Sequence, residues 1–128
     1  MKKTIALLAL AFVFALPDFG QAADPAKMKA AITYLEKSGI ITDADYWIEN
    51  AKAGSSIEGE KVAALIINTV SKKQKVSTID EACDYMEKRG TLKRTDYWRK
   101  NAREGSKCTG AQTAALITRM EALAKASK

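Results

Sequence analysis

Displaced by 51 residues, the chain falls into register with itself. Tyr34-Leu35-Glu36-Lys37-Ser38-Gly39 aligns with Tyr85-Met86-Glu87-Lys88-Arg89-Gly90, and Asp45-Tyr46-Trp47 with Asp96-Tyr97-Trp98. The register then holds without a gap through Asn50-Ala51 on Asn101-Ala102, Gly54 on Gly105, Gly59 on Gly110, and Ala63-Ala64-Leu65-Ile66 on Ala114-Ala115-Leu116-Ile117. Identities at one offset over such a length mark a duplicated supersecondary unit, and units of this kind stack to bury a common core. A single unit of under about 50 residues buries too little apolar surface to stand alone, so the two are expected to share one.

Within each unit the periodicity is helical. Met28, Ala31, Ile32 and Leu35 recur at i, i+3, i+4 and i+7, and Ile79, Ala82, Cys83 and Met86 repeat the stripe. Asp24-Pro25 suits an N-cap and first-turn proline, while Thr78 with Glu81 has the capping-box spacing. Gly39 and Gly90 should stop these helices in the left-handed position that glycine enters without steric cost. A short helix carrying Asp-Tyr-Trp follows, ended by Gly54 and Gly105. A third begins near Glu58 and Thr109, with Val62, Leu65, Ile66 and Thr69, or Thr113, Leu116, Ile117 and Met120, facing inward. No stretch alternates apolar and polar residues for long, so no sheet is expected.

The first 23 residues have the three parts of a secretory signal: Lys2 and Lys3, the apolar run Ile5 to Leu16, then Pro17 and the small residues Gly20, Ala22 and Ala23. Spanning a bilayer takes about 20 apolar residues, more than this run supplies. Cleavage after Ala22 puts Gly20 and Ala22 in the two small-residue pockets, whereas cleavage after Ala23 puts Gln21 in one of them. The expected chain is thus all-α: a signal peptide over 1–22, a first helical repeat over 23–72, a linker over 73–78 and a second repeat over 79–128. It is expected to be exported to the periplasm or the exterior, with no membrane span in the mature protein. The linker region, with Lys72, Lys73 and Lys75, reads as a solvated connector or a frayed helix end, or else as a basic patch for an anionic polymer.

Charge and residue types narrow the chemistry. Removing Lys2, Lys3 and Asp18 with the signal takes the net charge from +6 to +5, modest and interspersed with acids, which argues against a nucleic-acid partner. The chain has no histidine, the usual general base and metal ligand, so no metal, cofactor or enzymatic activity is expected. A glycosidase-like carboxylate pair, Glu36 with Asp45 or Glu87 with Asp96, is the remaining catalytic option. Cys83 aligns with Ile32 and Cys108 with Ile57, so an apolar contact in the first copy is expected to have become a disulfide in the second. Such a bond suits an oxidising compartment and would contribute roughly 3 kcal/mol; two buried thiols are the alternative.

The repeated Asp-Tyr-Trp-x-x-Asn element is the candidate binding surface. Tyr46, Trp47 and Asn50, with Tyr97, Trp98 and Asn101, offer aromatic planes beside amide donors, as sugar or peptide binding requires. The same residues also suit core anchors and backbone partners. Met28 to Lys72 carries five basic and six acidic residues, Ile79 to Lys125 ten and seven, and Arg94 and Arg99 flank the second aromatic pair. An anionic ligand should therefore prefer the second copy.

The pattern Gly39-Ile40-Ile41-x-x-x-Asp45-Tyr46-Trp47, ahead of Val62-Ala63-Ala64-Leu65, resembles short helical modules beside bacterial cell-wall hydrolases and phage wall-lytic proteins, and remotely S-layer homology repeats. The last helix of S-layer repeats opens on Thr-Arg-Ala-Glu, where this chain has Glu58-Gly59-Glu60-Lys61 and Thr109-Gly110-Ala111-Gln112. The resemblance implies a non-catalytic binding module of the cell envelope that contacts peptidoglycan or another wall glycan. A protein-interaction or inhibitor module acting on an envelope protein is the competing expectation.

Overall fold

The computed structural model describes residues 25–92 and 94–126; the expected signal peptide and the Asp24 cap lie outside them. The described chain is mainly helical. In order it forms α1 (Pro25–Lys37), α2 (Ala44–Asn50), β1 (Ser56–Glu58), α3 (Gly59–Ser71), α4 (Ile79–Arg89), α5 (Asp96–Asn101), β2 (Lys107–Thr109) and α6 (Gly110–Lys125).

Local chemistry sets most of these boundaries. Thr78 accepts a hydrogen bond from the Glu81 amide at 3.1 Å, and the Glu81 carboxylate accepts from the Ser77 amide at 2.8 Å, which fixes the start of α4. Gly39 and Gly90 lie at φ +79° and +77°, where an L side chain would clash with its own backbone, and they end α1 and α4. The connector between α3 and α4 is tied at both ends. Ser71 Oγ donates to the Val76 carbonyl at 3.2 Å, and Val76 is buried.

The inner stripes of the helices meet in one core that draws on both halves of the chain. The packing is crossed. α1 lies chiefly against α6, α3 lies against α4, and α3 also touches α6, so each half's first helix packs on the other half's last. Because α1 has little contact with α3, neither half closes a core by itself.

Contrary to the all-helical expectation, β1 and β2 pair as an antiparallel ladder, Ser56 with Thr109, Ile57 with Cys108 and Glu58 with Lys107. Each strand has three residues and one buried side chain, too short for alternation to register in the sequence. Ile57 and Cys108 are themselves 51 residues apart, so the ladder pairs one repeat position with its own equivalent, as a local two-fold axis does. Gly59 N donates to Ser106 O and Gly110 N to Ser55 O, each at 2.7 Å, extending the ladder equally on both sides.

The expected bond between Cys83 and Cys108 is not formed; both are buried free thiols. Cys108 faces Ile57 across the ladder, whereas Cys83 belongs to the inner stripe of α4, which packs on α3. Burial pushes the Cys83 thiol up to about 11 and the Cys108 thiol to about 12 from an ordinary 9.0, which keeps both protonated at neutral pH.

Candidate functional site

The Asp-Tyr-Trp-x-x-Asn element occupies α2 and α5, and its side chains turn inward. Trp47 and Trp98 are only 2% and 1% exposed, so neither indole offers a face to a ligand. The half-buried Tyr46 and Tyr97 stack edge-on against them, with ring centroids 6.0 and 4.9 Å apart. The tyrosine hydroxyls accept from main-chain amides that open the third helix of each half: Glu58 N to Tyr46 at 3.2 Å, and Thr109 N to Tyr97 at 2.8 Å. Asn50 and Asn101 each donate to the carbonyl four residues back, Tyr46 O and Tyr97 O, both at 2.9 Å. The element is thus a joint. Its tyrosine hydroxyls and asparagine amides bond main chain where a short helix, a strand and the last helix of each half meet.

Gly59 and Gly110 complete the joint, and the sequence reading did not single them out. A Cβ on Gly59 would stand 2.2 Å from Asn101 O and 2.4 Å from Arg103 O; one on Gly110 would stand 2.2 Å from Lys52 O and 2.4 Å from Asn50 O. The start of each last helix therefore abuts the end of the other half's short helix, backbone against backbone. Neither glycine has positive φ. A glycine repeated at the first position of a helix, where no turn calls for one, is the sequence signal of such a close approach.

The arginines proposed to attract an anion are differently placed. Arg99 ties α5 to α4: it donates to Thr95 Oγ1 at 3.0 Å and pairs with Asp80, Asp84 and Glu87 at 3.3, 2.7 and 3.5 Å. Thr95 also donates to Glu87. Three carboxylates already answer the Arg99 charge, and Glu87 is engaged by Arg99 and Thr95. Arg94 is exposed just ahead of α5. Lys73, from the basic connector, donates to the Ala126 carbonyl.

A second constellation lies in the first half, beside the end of α1. Asp43 accepts from Trp47 Nε1 at 2.9 Å and from Lys61 Nζ at 2.7 Å, and Lys61 stands 4.7 Å from the Tyr46 ring centroid. Burial acts to raise the Asp43 carboxyl, but the bonds from Lys61 and Trp47 outweigh it and hold the group below its ordinary 3.8. Asp43, Trp47, Lys61, Asn68 and Gly39 line a depression of about 240 Å³, below the usual size of a small-molecule cleft. The spacing of Asp43 and Trp47, four residues apart at a helix start, is the signal that could have found the pair. Among the described residues no group of three or more acidic, Cys or His side chains could hold a metal ion, and no helix is long and apolar enough to cross a membrane.

Comparison with protein-family models, with curated proteins and with solved structures finds no match to this chain.

Proposed function

We propose that the chain is an exported, non-catalytic protein-interaction module of the bacterial cell envelope, built as a tandem duplication of one three-helix unit on a shared core. The inward turn of the Asp-Tyr-Trp-x-x-Asn element carries this reading. With both indoles buried and the tyrosine and asparagine polar groups engaged by main chain, this element offers a wall glycan no indole face and few free polar groups. Half-buried apolar side chains such as Ile48 and Ile67 reach the surface of α2 and α3 among charged residues. The lack of histidine and the engagement of Glu87 by Thr95 and Arg99 argue against carboxylate-pair catalysis. Export rests on the signal-like first 22 residues, and placement in the envelope also on the resemblance to wall-lytic accessory modules.

Two measurements test the proposal. The mature protein, mixed with purified peptidoglycan at low and moderate salt, should stay in the supernatant. Photo-crosslinkers placed in turn at exposed positions such as Glu49, Ala64 and Lys100 should give a discrete protein adduct in expressing cells from one face and not the others. Pelleting that Tyr46→Ala and Tyr97→Ala abolish, with both variants folded, would restore the glycan reading. Absence of an adduct from every face would refute the interaction reading.

A further inference from the structure

The connector between α3 and α4 is built unlike the other turns of the fold. Gly39, Gly54, Gly90 and Gly105 hold left-handed backbone, with φ between +77° and +88°, and so pin the turns after α1, α2, α4 and α5. Residues 72–78 contain neither glycine nor proline, and no non-glycine residue among those described has positive φ. Nothing in this turn is therefore barred from becoming helix. Its first part already follows α3: Lys72 has right-handed helical backbone, and Lys73 N and Gln74 N donate to Val70 O at 2.8 and 2.9 Å. Lysine and glutamine, which fill positions 72 to 75, are good helix formers. What holds the turn is a set of side-chain ties: Ser71 to Val76 O, Lys73 to Ala126 O, and the Thr78 and Glu81 cap of α4.

Straightened into helix, the connector would join α3 to α4 with their apolar stripes in phase. Val62, Thr69, Val76 and Cys83 stand seven residues apart, and Leu65, Lys72, Ile79 and Met86 interleave with them at the same spacing. That is the a/d pattern of one long packed helix, running from α3 through the connector into α4. Of these eight side chains only Lys72 is exposed in the closed chain. The same stripe thus serves either form.

The halves hold each other about a local two-fold axis, and neither closes a core alone. Gly59 N on Ser106 O and Gly110 N on Ser55 O have one length, 2.7 Å, and the two glycine joints match atom for atom. A half that parts from its own chain therefore finds its fitting surface on a second copy. We propose that the surface between the halves is also a dimerisation surface: the connector straightens into helix, and two copies exchange halves, the first half of each closing on the second half of the other. Every contact between halves is kept, including Ile57 opposite Cys108, now joining two chains. Exchange of identical elements is a low-cost route to a dimer for that reason. The tether opposes it, since a short connector keeps the halves at an effective concentration of about 1 mM. The partner is the chain itself, so this inference and the envelope-partner reading fail separately.

The mature protein is refolded from urea at about 10 μM and at about 1 mM, below and near that effective concentration, and sized by light scattering. A dimer should form at the higher concentration and persist on dilution, because the halves cannot part without exposing their core. Ile57→Cys with Cys83→Ala then sets a thiol opposite Cys108, across a ladder whose Cα spacing of about 4.5–5.5 Å permits a disulfide. Refolded in a glutathione redox buffer, the monomer should close this bond within one chain. The dimer should run as a covalent dimer in detergent without reductant, with peptide mapping placing the bond between positions 57 and 108. Lys75→Pro lies in the exposed turn but would interrupt the long helix, and should lower the dimer association constant at least about 100-fold. A chain that stays monomeric at about 1 mM overturns the proposal. So does a dimer that detergent separates into monomers, or one that Lys75→Pro leaves unchanged.

Discussion

Substituting Gly59 by alanine sets two effects of opposite sign against each other. At the first position of α3, helix propensity alone favours alanine by up to about 1 kcal/mol. The tertiary contact opposes it. The new Cβ would lie 2.2 Å from Asn101 O, 2.4 Å from Arg103 O and 2.7 Å from Arg103 N. An ordinary carbon–oxygen contact is about 3.3 Å or longer, so the two backbones must part by about 1 Å. No rotamer change relieves a clash with backbone, which places the cost at the top of the overpacking range, about 3 kcal/mol. For a domain of this size that is a fall in Tm of about 12–24 °C. Gly110→Ala should behave alike, because Lys52 O, Asn50 O and Lys52 N stand at the same 2.2, 2.4 and 2.7 Å. Both contacts lie at one joint that opens once, so the double variant should cost less than the sum. Gly54→Ala and Gly105→Ala are the controls: their Cβ atoms meet nothing within 4 Å, and only the positive φ of +88° and +87° penalises them, by about 1–2 kcal/mol. Urea denaturation followed by tryptophan fluorescence reads all five proteins. If Gly59→Ala or Gly110→Ala costs less than the controls, or stabilises, the backbone-to-backbone joint is refuted.

Asp43→Ala should destabilise by about 1–3 kcal/mol by orphaning Trp47 Nε1, whereas Asp43→Asn keeps an acceptor and should cost less; equal losses in urea titrations would contradict the bond. Because its folded pKa is depressed, the Asp43 contribution is present above its ordinary 3.8 and is lost as pH falls through the folded value, so the gap between parent and Asp43→Asn should close in acid. Tyr46→Phe and Tyr97→Phe each remove one hydroxyl acceptor and should cost about 1 kcal/mol, measured by thermal unfolding. The thiols give an alkaline signature: the unfolded chain ionises above about pH 9 while the folded thiols hold their protons to about 11 and 12. Stability should then fall by about 1.4 kcal/mol per pH unit for each thiol in that window, and Cys83→Ala with Cys108→Ala should flatten the fall. At neutral pH neither thiol should alkylate until the chain unfolds. Arg99→Met should loosen α5 on α4 by about 1 kcal/mol, with a salt dependence the parent shows and the variant lacks.

The amino-acid sequence alone determined what depends only on chain neighbours. The stripe Met28, Ala31, Ile32 and Leu35 is buried, as a 3.6-residue period requires, and Gly39 and Gly90 stop their helices because left-handed backbone is open to glycine whatever the surroundings. Thr78 with Glu81 capped α4 for the same local reason. Tertiary structure decided which stripe meets which: apolar faces are interchangeable in the sequence, and only the closing of one core sends α1 to α6 and α3 to α4. That crossing brought Ile57 opposite Cys108 and left the two thiols unbonded, which an alignment of one copy on the other cannot reveal. It also settled the fate of the aromatic element. Trp47 and Tyr46 have the residue types of a binding platform and of a core joint alike, and the difference is exposure, which is a property of what packs above them. The indole N–H groups differ in the same way: Trp47 and Trp98 are one residue type at equivalent positions, and only the structure shows that the first reaches a carboxylate and the second is buried without an acceptor.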